Sequence, residues 1–282
     1  MLGIKRQSEK EIGPGRFGPY YLHDKINSGG MADIWLATDA QERPCAIRLL
    51  HTRSRVDAAA RKRFVRGCKI LAQIHEHPFI IGYLGHGKIK GVHYLAMEYV
   101  EGANLKLLLA QADPLLERHL GNILIDAAKA LEHVHDKGFM HLDFKPENIV
   151  LNRSGEIRLL DFDLTLPRPE FPKKLSSNPG TPAYMAPEQL TKAPVDHRAD
   201  IFAYGVAAYE LVTLQKPFPG ETAEEVLRLQ LDRTDFVNPR GINPSIPPAL
   251  ERIILKCLER EPNKRYPFMS VVTRDLERTL YV

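Results

Sequence analysis

The run His141-Leu142-Asp143-Phe144-Lys145-Pro146-Glu147-Asn148 limits what this chain can be more than any other stretch of it. It places a carboxylate, an ammonium group and a carboxamide close together on the backbone. Two short apolar stretches follow, over 149–151 and 157–160, separated by turn residues at 152–155. The hairpin they predict ends on a second carboxylate, Asp161 of Asp161-Phe162-Asp163. A fold that serves this pattern has to gather a proton acceptor, a cation and two oxygen donors for a hard metal ion around one hairpin.

The rest of the chain divides into a strand-rich first part and a helical second part. Residues 1–18 are polar, carry Gly13, Pro14, Gly15 and Gly18, and read as a flexible lead-in. Strands are expected over 20–26, 34–38 and 44–50, the first two joined by a turn at Ser28-Gly29-Gly30, and again over 80–86 and 92–99. Between them, 56–75 has helical spacing, with Phe64, Ile70, Leu71 and Ile74 as its apolar positions and Pro78 as the stop. Past residue 100 the spacing predicts helices over 120–135, 199–214, 222–231 and 248–260. The 199–214 segment is apolar on nearly every side, as a buried helix would be. Residues 163–182 hold Pro167, Pro169, Pro172, Pro179 and Pro182 and predict no regular element. The expected division is a lead-in over 1–18, a small lobe over 19–100 and a larger lobe over 101–282.

Composition narrows the partners. With 282 residues, 44% apolar and 26% charged, the chain has material for one large domain or two coupled lobes. A formal net charge of +4 without a dense basic block argues against nucleic-acid binding. Cys45, Cys68 and Cys257 lack the spacing of a disulfide framework or a zinc site, which fits a reducing, cytoplasmic setting. No apolar run reaches the roughly 18 residues of a membrane span, so no membrane contact by this domain is expected.

Phosphoryl transfer is a chemistry that uses this set of groups, because there a protein mainly positions reactants and neutralises charge. Asp143 would accept the proton of an attacking hydroxyl, Lys145 would neutralise the moving phosphoryl group, and Asn148 and Asp161 would ligate magnesium. The 141–148 run resembles the HRDxKxxN catalytic loop of protein kinases, and Asp161-Phe162-Asp163 resembles their DFG motif. Gly180-Thr181-Pro182-Ala183-Tyr184-Met185-Ala186-Pro187-Glu188 looks like the end of a kinase activation segment, here 161–188. Asp200-Ile201-Phe202-Ala203-Tyr204-Gly205 resembles the start of the central helix of the large lobe, and Arg265 fits the arginine that pairs with Glu188.

The resemblance runs from about Tyr20 to the C-terminus, in the style of bacterial serine/threonine kinases. It implies an α+β fold of two lobes: a small antiparallel β lobe with one main helix, and a larger, mostly helical lobe. It implies ATP and magnesium as cofactors and a protein as substrate or partner. Met97-Glu98-Tyr99-Val100 resembles the hinge whose backbone meets adenine. Ile34 and Ala46 would lie above the base and Val150 below it, with Ile26, Gly29 and Gly30 as further nucleotide contacts. Thr181 would tie Asp143 to Lys145.

The resemblance weakens where phosphates would be gripped. The family's GxGxxG roof corresponds to Asn27-Ser28-Gly29-Gly30-Met31-Ala32, with Asn27 and Ala32 in place of the outer glycines. The third strand reads Cys45-Ala46-Ile47-Arg48, with Arg48 in the lysine position, and a planar guanidinium does not place its charge as a compact ammonium does. The glutamate that should brace this cation falls on Gly67, followed by Cys68. Leu142 stands where an arginine usually receives a phosphorylated loop, so control through that contact is not expected, although Ser176 and Ser177 remain open to modification. Asp163 replaces the DFG glycine and either strengthens cation binding or repels the phosphates.

Two readings follow. In the favoured one the chain is a pseudokinase: it binds a magnesium nucleotide, transfers phosphoryl weakly or not at all, and serves as a signalling scaffold or allosteric partner. In the other it is an active serine/threonine kinase with an atypical ATP grip, in which Lys25 or Lys69 replaces the missing lysine. The 180–188 segment, which shapes a groove for protein substrates, speaks against a small-molecule kinase.

Overall fold

Strict alternation of side chains organises the first part of the chain. The computed structural model describes residues 12–51 and 57–280. Strands β1 (Gly15–Phe17), β2 (Tyr20–Ser28), β3 (Ala32–Thr38), β4 (Pro44–Leu50), β5 (Tyr83–Ile89) and β6 (Val92–Glu98) form one antiparallel sheet in the order β1-β2-β3-β4-β6-β5. The register sets Trp35 opposite Ile47, Ile34 opposite Arg48 and Ala46 opposite Met97. Opposed residues share a face and neighbours in sequence do not. Trp35, Ala37, Cys45, Ile47 and Leu49 therefore enter one core with Phe17 and Leu22, while Ile34, Ala46, Arg48 and Met97 lie on the other face.

The expected lead-in divides. Residues 1–11 lie outside the described residues, but Gly15–Phe17 pair with β2. Gly18, at φ 60°, makes the turn between them, and Phe17 buries its ring edge-on to Tyr94 at 5.9 Å. Helix α1 (Ala58–Ile74) begins where Asp57 accepts the amides of Ala59 and Ala60 at 2.9 and 3.2 Å. Val56, the expected first residue, is outside the described residues.

The chain forms two compact units: residues up to Ala72 with Gly82–Tyr99, and Gln73–Ile81 with everything from Val100 on. The small lobe thus loses 73–81 to the second unit, because the backbone after Pro78 finds its partners there. Ile80 bridges Leu159, and the Ile81 amide donates to the Leu159 carbonyl at 3.1 Å. For the same reason the strand expected over 80–86 starts at Tyr83.

The second unit begins with β7 (Gly102–Asn104), α2 (Leu105–Gln111), α3 (Pro114–Asp136) and β8 (Phe139–Met140). β9 (Ile149–Asn152), β10 (Ile157–Leu159) and β11 (Leu166–Pro167) follow, then α4 (Pro187–Leu190), α5 (Arg198–Thr213), α6 (Ala223–Leu231), α7 (Pro239–Ile242), α8 (Pro248–Cys257) and α9 (Met269–Leu280). α5 is buried along nearly its whole length, as its uniform hydrophobicity predicts, and its Tyr204 hydroxyl donates to the Leu124 carbonyl of α3 at 2.9 Å.

Three expectations need correction here. α3 starts at Pro114, not 120, because Asp113 caps the Leu115 amide at 2.8 Å and Pro114 sits in the first turn. α2 and α9 were not expected at all. The proline-rich 163–182 stretch does carry one regular element, β11, which pairs with β8 through Leu166 and Met140. Proline is tolerated there because the ladder is two residues long and lies at an edge.

Candidate active site

In the second unit the 141–148 loop hangs from one buried carboxylate. Asp200, in the first turn of α5, accepts the His141 amide at 2.8 Å, the Leu142 amide at 2.7 Å and Nε2 of His135 at 2.8 Å. Burial alone would raise this carboxyl. The bond and charge of His135, the charge of His141 and the Leu142 amide hold it below the usual carboxylate range. Leu142 has φ 62°, a left-handed backbone that a leucine adopts only when its surroundings enforce it. Its side chain, in the position of the missing arginine, is 8% exposed.

Asp143 and Lys145 meet as the sequence predicts. Lys145 Nζ lies 2.9 Å from Asp143 Oδ2 and donates to Thr181 Oγ1 at 2.8 Å. Asn148 Nδ2 donates to the Asp143 carbonyl at 2.8 Å and to its Oδ2 at 3.1 Å. With the amide nitrogen directed at Asp143, the Asn148 carbonyl oxygen is the atom left for a hard cation. Burial raises the Asp143 carboxyl, and the Lys145 charge offsets only part of that. Asp161 also has a left-handed backbone, at φ 58°, and its Oδ1 accepts the Asp163 amide at 3.2 Å. Asp163 is buried. One carboxylate and one amide oxygen suit magnesium, which takes few protein ligands and fills the rest of its shell with water and phosphate oxygens. No cluster of three His, Cys, Asp or Glu side chains fit for a metal occurs among the described residues.

The segment after Asp161 is tethered along its length. Beyond the β8–β11 pair, the Arg168 amide donates to the Gly138 carbonyl at 2.8 Å, Lys173 bridges Val195, and Asn178 Nδ2 donates to the Gln189 carbonyl at 2.8 Å. At its end Glu188 receives a bidentate pair from Arg265, at 2.7 and 2.8 Å, the predicted partnership. The Arg265 side chain is 0% exposed and that of Glu188 7%.

The first unit holds the other candidate residues. The Gly29 amide closes the hairpin onto the Ala32 carbonyl at 2.9 Å. A Cβ added at Gly30 would meet nothing within 4 Å, so backbone there is open to a bulky anion. Arg48 lays its guanidinium over the Phe64 ring, 5.3 Å from the centroid. Phe64 is one turn before Gly67 on α1, so the same helix face that should carry a carboxylate offers a ring and then a buried glycine. Lys25 does not stand in for the missing lysine. Its Nζ lies 3.0 Å from Asp33 Oδ2, and Asp33 is opposite Leu49, on the face away from Arg48. Burial raises the Asp33 carboxyl, but bonds from Ser28, His51 and Lys25 hold it down at about 2. Lys69, the other proposed substitute, has an exposed side chain on α1.

Of the expected nucleotide contacts, Ile26, Gly29, Gly30, Ile34, Ala46, Arg48, Met97 and Glu98 lie in the first unit, whereas Val100, Asn148, Val150 and Asp161 join Asp143 and Lys145 in the second. Sequence reasoning missed the anchoring role of Asp200 and His135. The available signal was an aspartate opening an otherwise apolar helix, since a charge buried there needs partners.

Residues 20–276 match the family described as "Protein kinase domain". The chain is 32% identical over 271 residues to serine/threonine-protein kinase PrkC of Bacillus subtilis, a match covering 94% of this chain and 41% of PrkC. It is 30% identical over 266 residues to serine/threonine-protein kinase PksC of Streptomyces coelicolor, covering 89% and 47%. With serine/threonine-protein kinase PknB of Mycolicibacterium smegmatis the identity is 29% over 267 residues, covering 92% and 42%. The chain spans less than half the length of these relatives.

Proposed function

Because the chain belongs to the protein kinase family, with serine/threonine kinases of bacteria as relatives, we propose that it is a domain of that type which binds a magnesium nucleotide, transfers phosphoryl slowly or not at all, and acts chiefly on a protein partner in signalling. The observation that carries this reading is Arg48. Its guanidinium rests on Phe64 where a compact ammonium braced by a carboxylate would orient a triphosphate. A displacement of about 1 Å near a reacting centre costs on the order of a hundredfold in rate.

The residual chemistry is that of the 141–148 loop. Asp143, its carboxyl raised by burial, would take the proton of a serine or threonine hydroxyl. Lys145, fixed between Asp143 and Thr181, would meet the charge of the transferred group. Asn148 and Asp161 would hold the magnesium, which when bound would supply positive charge against that of the phosphates. A second reading, a fully active kinase, draws on the completeness of this loop. A cytoplasmic location belongs to the proposal; no helix among the described residues is long and apolar enough to cross a membrane.

The test is transfer from labelled ATP, with magnesium, to the chain itself and to a generic protein substrate. Weak transfer that disappears with Asp143→Ala, or no transfer, is expected, together with a modest rise in Tm on adding ATP. Robust transfer abolished by Asp143→Ala would replace this reading with the second. An unmoved Tm at millimolar ATP would remove nucleotide binding from it.

A further inference from the structure

The anchor of the 141–148 loop is itself braced from outside. His135 donates Nε2–H to Asp200, and its Nδ1 is buried without a hydrogen-bond partner. The free edge of this imidazole is therefore positioned by packing alone. His197 supplies part of that packing: it meets the His135 ring edge-on, with centroids 5.4 Å apart and planes at 77°. His197 is fixed in turn. Its Nε2–H donates to the Pro267 carbonyl at 2.8 Å, which sets the tautomer, and its ring lies flat against Phe268, 5.6 Å away at 9°. Phe268 is 52% exposed. Nothing in the 141–148 chemistry uses either ring.

We propose that Phe268 and His197 are positioning residues for the 141–148 loop, the outer members of a ring stack that orients His135, through it the Asp200 carboxylate, and through that the amides of His141 and Leu142. Two features give the stack this reach. Ring pairs have directional preferences, so a tilt of one ring is felt by the next. Leu142, in its left-handed conformation, depends on being over-determined by its surroundings, and the bond from its amide to Asp200 Oδ1 is one of those determinants. Burial pushes the His197 imidazole down, the Pro267 carbonyl and Asp196 pull it the other way, and the charges of His135 and Arg168 add to the fall. The assignment rests on the geometry of the loop and stands whether or not the chain transfers phosphoryl.

Amide hydrogen exchange on the full chain tests it without any need for turnover. Phe268→Ala and His197→Ala should speed exchange at His141 and Leu142 about three- to tenfold relative to Tyr204 and Val206 in the middle of α5. Phe268→Trp, which keeps a flat ring over His197, should exchange like the parent chain. Equal acceleration at all four amides, no acceleration at His141 and Leu142, or a Phe268→Trp chain that behaves like Phe268→Ala would each overturn the proposal. If His197→Ala does not fold, the two variants at the exposed Phe268 decide the matter.

Discussion

The loop around Asp143 and the strand around Arg48, one in each unit, are built into the molecule in different ways. The loop is part of the interior of the second unit. Its backbone hangs from Asp200, and the segment that follows it ends on the buried Glu188–Arg265 pair. A change at these positions leaves a buried donor, acceptor or charge without its partner. Arg48 lies on the sheet face opposite the packed core of Trp35, Ile47 and Leu49, and the sheet is held by its ladder and by that core. Substitution at 48 therefore leaves the sheet's ladder and that core in place. The loop thus keeps its groups inside a packed interior, whereas Arg48 stands on the face away from the sheet's core, against Phe64.

The contrast can be broken first at Arg265. Arg265→Ala strands the Glu188 carboxylate in the interior, and should lower stability in urea denaturation by about 3–5 kcal/mol. A near-neutral result would mean that the second unit tolerates loss of its ion pairs as readily as the first. The next largest effect is a gain. Restoring the brace with Arg48→Lys together with Gly67→Glu should raise phosphoryl transfer by roughly a hundredfold over the parent chain, measured against an Asp143→Ala background. An unchanged rate would move the defect away from this pair, with Asn27 or Asp163 next in line.

A smaller effect sharpens the picture within the second unit. Asp126, half-buried on α3, has its carboxyl raised to about 6 by burial, with Lys129 pulling the other way. A folded-state value above the unfolded 3.8 means that the folded chain binds the proton more tightly. This contribution to stability is full below about pH 4 and is lost as pH rises through about 6. Asp126→Asn should accordingly stabilise the chain by about 1 kcal/mol at pH 8, after allowance for solvent screening, and by nothing measurable at pH 4. Equal Tm shifts at both pH values would contradict the burial argument.

Much of this was legible in the sequence, for identifiable reasons. The groups of the 141–148 run are close in the chain, so their meeting needed little folding to predict. The sheet was readable from alternation and turn residues. α9 was missed although Met269, Val272, Thr273 and Leu276 bury at helical spacing. There the pattern was present and went unread. α2 was hidden for a better reason: it is seven residues long and ends at Ala112 in a left-handed conformation, a role that glycine or asparagine usually announces. The strand beginning at Tyr83 was displaced because residues 80 and 81 pair with Leu159, and no local pattern reports a competition between distant partners. The bond between His135 and Asp200 spans 65 residues, beyond the reach of any spacing rule.

The tethers on the segment after Asp161 also say where the chain can be cut. Between the Arg168 amide bond and the Lys173 bridge, Phe171 projects at 73% exposure, flanked by charged side chains and prolines. The Phe171–Pro172 bond itself resists chymotrypsin, so a glutamate-specific endoproteinase is the probe: it should nick the native protein after the exposed Glu170 ahead of glutamates held in helices of the second unit. The two fragments would then stay associated, because the anchors on either side of the break belong to the folded interior. A nicked yet undissociated domain, seen as two bands only under denaturing conditions, is the practical signature of a loop held at both ends and loose in the middle.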